Sequence, residues 1–127
     1  MQDDLIIKTT NLTKSYGPHV ALSKLNLSVP QGATGLLGPN GAGKSTFLKT
    51  ILGLIQTTEG EGSVLGLDIR TQGDEIRSRI GYMPEYDALN PEMEAIHQVR
   101  YSGELLGMNP TIALARAHET LQYVGLG

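Results

Sequence analysis

The sequence predicts an incomplete α/β fold with an antiparallel β portion and the start of a helical part. A nearly continuous apolar run at 33–37 reads as a strand buried on both faces. A glycine-rich loop from Gly38 to Thr46 follows it directly, and Phe47, Leu48, Ile51, Leu52 and Ile55 then recur at helical spacing. Strand, loop and helix in direct succession form the α/β unit.

With 127 residues the chain has room for one small domain or a piece of one. A hydrophobic share of 39% with 18% charged residues is that of a globular protein rather than a disordered one. The net charge of −3 supplies no broad basic field for a nucleic-acid backbone, so no nucleic-acid partner is expected. Cysteine is absent, which excludes disulfides and thiolate metal clusters. Asp3 and Asp4 precede the short run Leu5, Ile6, Ile7, which lacks the basic start and the length of a secretory signal. No apolar run reaches membrane-spanning length, so the chain itself reads as soluble and membrane attachment would have to come through a partner.

In chain order, residues 5–8 and the alternating 25–29 predict short strands, the second closed by a turn at Pro30-Gln31-Gly32. The helix after the loop is predicted over 44–55. Residues 63–65 and 67–69 form a small hairpin around Gly66, and 74–79 one or two helical turns. Ile80 to Met83 reads as another buried strand, stopped by Pro84 so that Glu85 falls in a loop. Residues 91–106 and 110–124 predict two helices, the second with Asn109 as N-cap. The expected organisation is 1–84 as β subdomain and phosphate-loop core, and 85–127 as the start of a helical subdomain.

Gly38, Pro39, Asn40, Gly41, Ala42, Gly43, Lys44, Ser45 and Thr46 satisfy the P-loop pattern of Gly, four free positions, Gly, Lys and Ser or Thr, in the strand-to-helix context it requires. Glycines let the backbone turn so that successive N–H groups converge on phosphate oxygens, and the helix N-terminus adds its positive dipole end. Lys44 supplies an ammonium for the β- and γ-phosphates, Ser45 a hydroxyl for Mg²⁺, and Thr46 a secondary phosphate contact. The loop predicts Mg²⁺-nucleotide binding without choosing between ATP and GTP.

Tyr16-Gly17 before the loop and Gly81-Tyr82-Met83-Pro84-Glu85 after it resemble, in spacing, the ATP-binding-cassette (ABC) ATPases. Gly38 to Thr46 is similar to that family's Walker A motif, and 56–69 to its β-subdomain hairpin. The resemblance covers essentially the whole chain and is slightly closer to bacterial exporter ATPases than to importers. It implies a P-loop NTPase fold, ATP and Mg²⁺ as cofactors, a head-to-tail dimer with a second ABC ATPase domain, and a transmembrane permease on the cytoplasmic face of a membrane. Tyr16 then corresponds to the A-loop aromatic that stacks on adenine, although a tyrosine beside glycine is by itself more often a turn or packing residue.

Glu85 stands where the family has the Q-loop glutamine, a departure that replaces a neutral amide with a carboxylate. At an effective dielectric near 20, a like charge ~5 Å from the γ-phosphate costs about 3 kcal/mol before screening. Glu85 therefore fits a metal-ligand role beside Mg²⁺, or else is an exposed loop acid. The family's Walker B aspartate, catalytic glutamate, signature and switch histidine are not recognised. Asp68 follows a Walker B-like run but falls in the hairpin, Ser102-Gly103 falls inside a helix, and His19, His97 and His118 are scattered. This chain alone is expected to bind MgATP without efficient turnover, as the N-terminal portion of a subunit whose complete form hydrolyses ATP. The alternatives are a non-transport ABC protein acting on ribosomes or nucleic acid, and a small P-loop kinase.

Overall fold

The computed structural model describes residues 5–86 and 88–127. Its elements are β1 (Leu5–Tyr16), β2 (His19–Pro30), α1 (Lys44–Ile51), β3 (Glu59–Val64), β4 (Leu67–Asp68), α2 (Gly73–Arg79), α3 (Ala95–Leu105) and α4 (Pro110–Tyr123). They divide into two compact units, one running to Gly81 and the other from Tyr82 to Gly127.

The first unit is built on an antiparallel sheet in the order β2-β1-β3-β4. Both β1 and β2 are 12 residues long, far beyond the stretches 5–8 and 25–29 that alternation alone predicts. Polar side chains bridge the irregularity that hides the longer strands. Between Thr9↔Leu27 and Leu12↔Leu25 the register shifts, and Asn11 takes φ 49°. There the Thr9 hydroxyl donates to the Leu25 carbonyl and accepts the Leu27 N–H, both at 3.0 Å, while Asn26 Oδ1 accepts the Asn11 N–H at 2.9 Å. Side chains thus satisfy backbone groups at the bulge, as burial of a sheet centre demands.

Leu12 and Leu22 from the sheet meet Phe47 and Ile51 of α1, with Val64, Ile69 and Ile76 completing the core. Helix α1 closes earlier than the apolar spacing suggests. Leu54 N–H returns to the Lys49 carbonyl at 2.9 Å and Gly53 N–H to that of Thr50 at 3.0 Å, the paired bonds of a Schellman ending. Arg77 of α2 then donates to the Leu52 carbonyl at 2.9 Å, tying α2 to the end of α1.

Two predicted strands do not form. Residues 33–37 have no ladder and are exposed, Leu37 to 94%, and the same holds at Tyr82 and Met83, the latter exposed to 91%. A short apolar segment becomes a strand only when neighbours pair its backbone on at least one side and helices cover its faces. Among the described residues no strand pairs with either segment, and both run without regular secondary structure.

In the second unit α4 starts as predicted: Asn109 Oδ1 accepts the Thr111 N–H at 2.9 Å, with Pro110 following. Ala113, Ala117 and Leu121, four residues apart, form its buried stripe, and Gly103 of α3 lies against Ala113. Helix α3 begins at Ala95 rather than at 91. Asn90 diverts the preceding residues into a turn, its Oδ1 accepting the Glu92 N–H and its carbonyl the Met93 N–H, both at 3.0 Å.

Opposite the β1 bulge, Gly60 has φ 83°, and a Cβ built there would lie 2.1 Å from the Asn11 carbonyl oxygen. Gly60→Ala combines left-handed strain with a backbone clash and is expected to lower unfolding free energy by about 2 kcal/mol or more in urea titration. Gly35→Ala, where a Cβ meets nothing within 4 Å, should stay within about 0.5 kcal/mol of the parent chain.

Candidate functional site

The loop from Gly38 to Thr46 curls through a turn in which the Ala42 N–H donates to the Pro39 carbonyl at 3.1 Å. Gly41 and Gly43 follow the left-handed conformation, at φ 85° and 93°. Gly43 is the helix cap, and the Phe47 N–H bonds to its carbonyl at 2.8 Å. No side chain caps this end of α1 and no acid lies in its first turn, so the N–H groups of Lys44, Ser45 and Thr46 have no intrahelical partner. A helix start left in this state is suited to an anion.

Lys44 folds back over the loop. Its Nζ donates to the Pro39 carbonyl at 3.1 Å and to the Gly38 carbonyl. Both are neutral acceptors, which phosphate oxygens can match or exceed for an ammonium. Lys44 is half-buried and Ser45, the next residue of α1, is exposed. Donors of this kind, with no carboxylate among Gly38 to Thr46, suit an anion such as a phosphate group.

What fixes the loop is β2. A Cβ at Gly43 would lie 2.5 Å from the Ala21 carbonyl oxygen and 3.0 Å from Leu22 Cδ2. Ala21 is the residue skipped in the register between Lys14↔Leu22 and Ser15↔Val20. The same short stretch of β2 therefore touches the phosphate loop and pairs with the end of β1, which terminates at Tyr16 opposite His19. Tyr16 is 50% exposed, and the Lys14 ammonium lies 4.9 Å from its ring centroid. Thr58 holds this end from the other side: its hydroxyl accepts the Ser15 N–H and its own N–H donates to the Thr13 carbonyl, both at 2.9 Å. Neither Lys14 nor Thr58 stands out in the sequence; strand periodicity carried through to Tyr16 would have put Lys14 on the same face as the ring.

Glu85 is exposed and belongs to the second unit, whereas Tyr16 and Gly38 to Thr46 lie in the first. Among the described residues no group of three His, Cys, Asp or Glu side chains could hold a metal. Asp68 lies in the hairpin, where its Oδ1 accepts the Arg70 N–H at 2.7 Å, and Ser102-Gly103 lie within α3. His19, His97 and His118 are exposed, and His97 Nδ1 lies 3.9 Å from a Glu94 carboxylate oxygen. No helix among the described residues is long and apolar enough to cross a membrane.

Residues 22–127 match the family described as ABC transporter. Over 122 residues the chain is 35% identical to the Nod factor export ATP-binding protein I of Cupriavidus metallidurans, covering 95% of this chain and 40% of that protein. It is 37% identical over 122 residues to the bacitracin transport ATP-binding protein BcrA of Bacillus licheniformis, covering 95% and 39%. Among solved structures it superposes on an ATP-binding cassette dimer in a post-hydrolysis state bound to ADP and Pi, with TM-score 0.75 and 29% identity over 91% of this chain and 56% of that one. The ATP-binding subunit of an ABC transporter gives TM-score 0.70 and 28% identity over 82% and 44%. The chain spans about 40% of the length of these two curated relatives. A phosphate loop anchored on an antiparallel sheet and a family match running from β2 to the last residue have one reading: this chain belongs to the ABC transporter family.

Proposed function

We propose that this chain is the nucleotide-holding part of an ABC transporter ATP-binding subunit, which in its whole form hydrolyses ATP to drive transport through a membrane permease. The observation that carries the reading is the uncapped start of α1, with Lys44 turned into its own loop and Gly43 pressed against β2. In this reading the N–H groups from Gly41 to Thr46 and the Lys44 ammonium hold the phosphates, Ser45 ligates Mg²⁺, and Tyr16 stacks on the base. Pro39, Asn40 and Ala42 shape the loop. Mg²⁺ supplies charge neutralisation between the phosphates when bound.

The export named for one relative supports an exporter; from the family resemblance we further assign it a head-to-tail pairing and a place on the cytoplasmic face of a membrane. Glu85 is the chain's candidate second oxygen for Mg²⁺. Its carboxylate is tolerable near the nucleotide only beside that cation, since against the γ-phosphate alone it is repelled. Binding without efficient turnover is the activity assigned to this chain; the hydrolytic step belongs to the whole subunit.

Titration calorimetry with MgATP tests the site. Lys44→Ala is expected to weaken binding at least tenfold by removing the charge-assisted bonds to phosphate. Measurable MgATP binding unaffected by Lys44→Ala would refute the reading, and robust Lys44-dependent turnover would move this chain from holder to catalyst. Gly43→Ala should weaken binding to a similar degree, because relieving the 2.5 Å approach to Ala21 displaces the loop. For Glu85, the ratio of ATP affinities with and without Mg²⁺ is the readout: Glu85→Gln should reduce it severalfold, and an unchanged ratio would remove Glu85 from the metal.

A further inference from the structure

We infer that Lys14 is a positioning residue for base recognition, holding the Tyr16 ring from one face so that its opposite face receives an electron-rich purine. The inference rests on the proposed stacking role of Tyr16 and adds a residue outside the phosphate loop.

Lys14 and Tyr16 are two apart on β1, which puts their side chains on one face of the strand. The ammonium lies over the ring, 4.9 Å from its centroid, within the range at which the ring quadrupole attracts a cation. Tyr16 ends the strand and is 50% exposed, and Gly17 and Pro18 after it are exposed too. The backbone beneath is firmly placed, by His19 across the turn and by Thr58 through the Ser15 N–H and the Thr13 carbonyl. On a fixed backbone, the ammonium over one face biases the angle of the ring.

A cation over one face also draws π density toward itself. The opposite face becomes a better partner for an electron-rich base, since stacking is governed by the charge distribution of the two rings. Lys14 therefore favours a purine over a pyrimidine through Tyr16, with no contact to the nucleotide.

Calorimetric Kd values for MgATP, MgCTP and magnesium tripolyphosphate separate this role from a charge acting on phosphate. Lys14→Gln is expected to weaken MgATP binding about three- to fivefold, to lower the ATP-over-CTP preference, and to leave tripolyphosphate unchanged. Lys14→Arg should restore ATP affinity, because guanidinium also lies over aromatic faces. In a Tyr16→Leu background, Lys14→Gln should have no further effect. An equal loss for ATP and tripolyphosphate would assign Lys14 to the phosphates, and no loss or a gain for ATP would place the ammonium on the face the base needs; either overturns the inference. If Tyr16→Leu itself leaves ATP and tripolyphosphate affinities in their original ratio, the stacking role fails and the Lys14 role with it. Loss on Tyr16→Leu without loss on Lys14→Gln overturns the Lys14 role alone.

Discussion

The approach of the Gly43 backbone to the Ala21 carbonyl is the constraint on which the first unit depends. Only a residue without a Cβ admits β2 at that distance, and the same residue opens α1. Helix start, sheet and core are thereby locked together: Leu22, next to Ala21, is buried with Phe47 and Ile51 on the inner side of α1. The C-terminal end of an otherwise exposed, glycine-rich loop is held against the sheet by backbone packing. Pre-organisation of this kind lowers the ordering cost of binding.

The turn of the phosphate loop and the start of α1 after it were legible because their signal is local, whereas the strand expected before them was not formed. The loop's glycines, Lys44 and Ser45 lie within nine consecutive positions, and the turn and helix they require involve the same residues. Asn109 as a cap was legible for the same reason, since an N-cap is satisfied two residues on. The length of β1 and β2 was not, because Asn11 at positive φ and the polar run from Thr9 to Thr13 break the alternation that marks a strand. What holds those residues in the sheet is hydroxyl and amide bonding across to Leu25, Asn26 and Leu27, partners 15 to 18 positions away.

Residues 33–37 and 80–83 show the opposite failure. Apolar content predicted strands, yet a strand is a property of a pair, and hydrophobicity names the burial a segment requires without naming what buries it. Thr58 and Lys14 were invisible for a third reason. Each acts on Tyr16 through the three-dimensional course of β1: Thr58 by backbone bonds, Lys14 by sharing a strand face. Resemblance alone could mark the ring; only the fold shows what surrounds it.

The bond from Ser15 to Thr58 closes a span of 43 residues, and the phosphate loop lies inside it. The β1–β2 hairpin, joined through Gly17 and Pro18, needs no such closure and is the cheaper contact in chain entropy. During synthesis the tyrosine-bearing turn is thus able to form while the residues of the loop are still being added, and β3 completes the sheet only after α1 has emerged. The pairing of β3 with β1 therefore closes over the phosphate loop, whereas the contact of Gly43 with β2 is made within the shorter span.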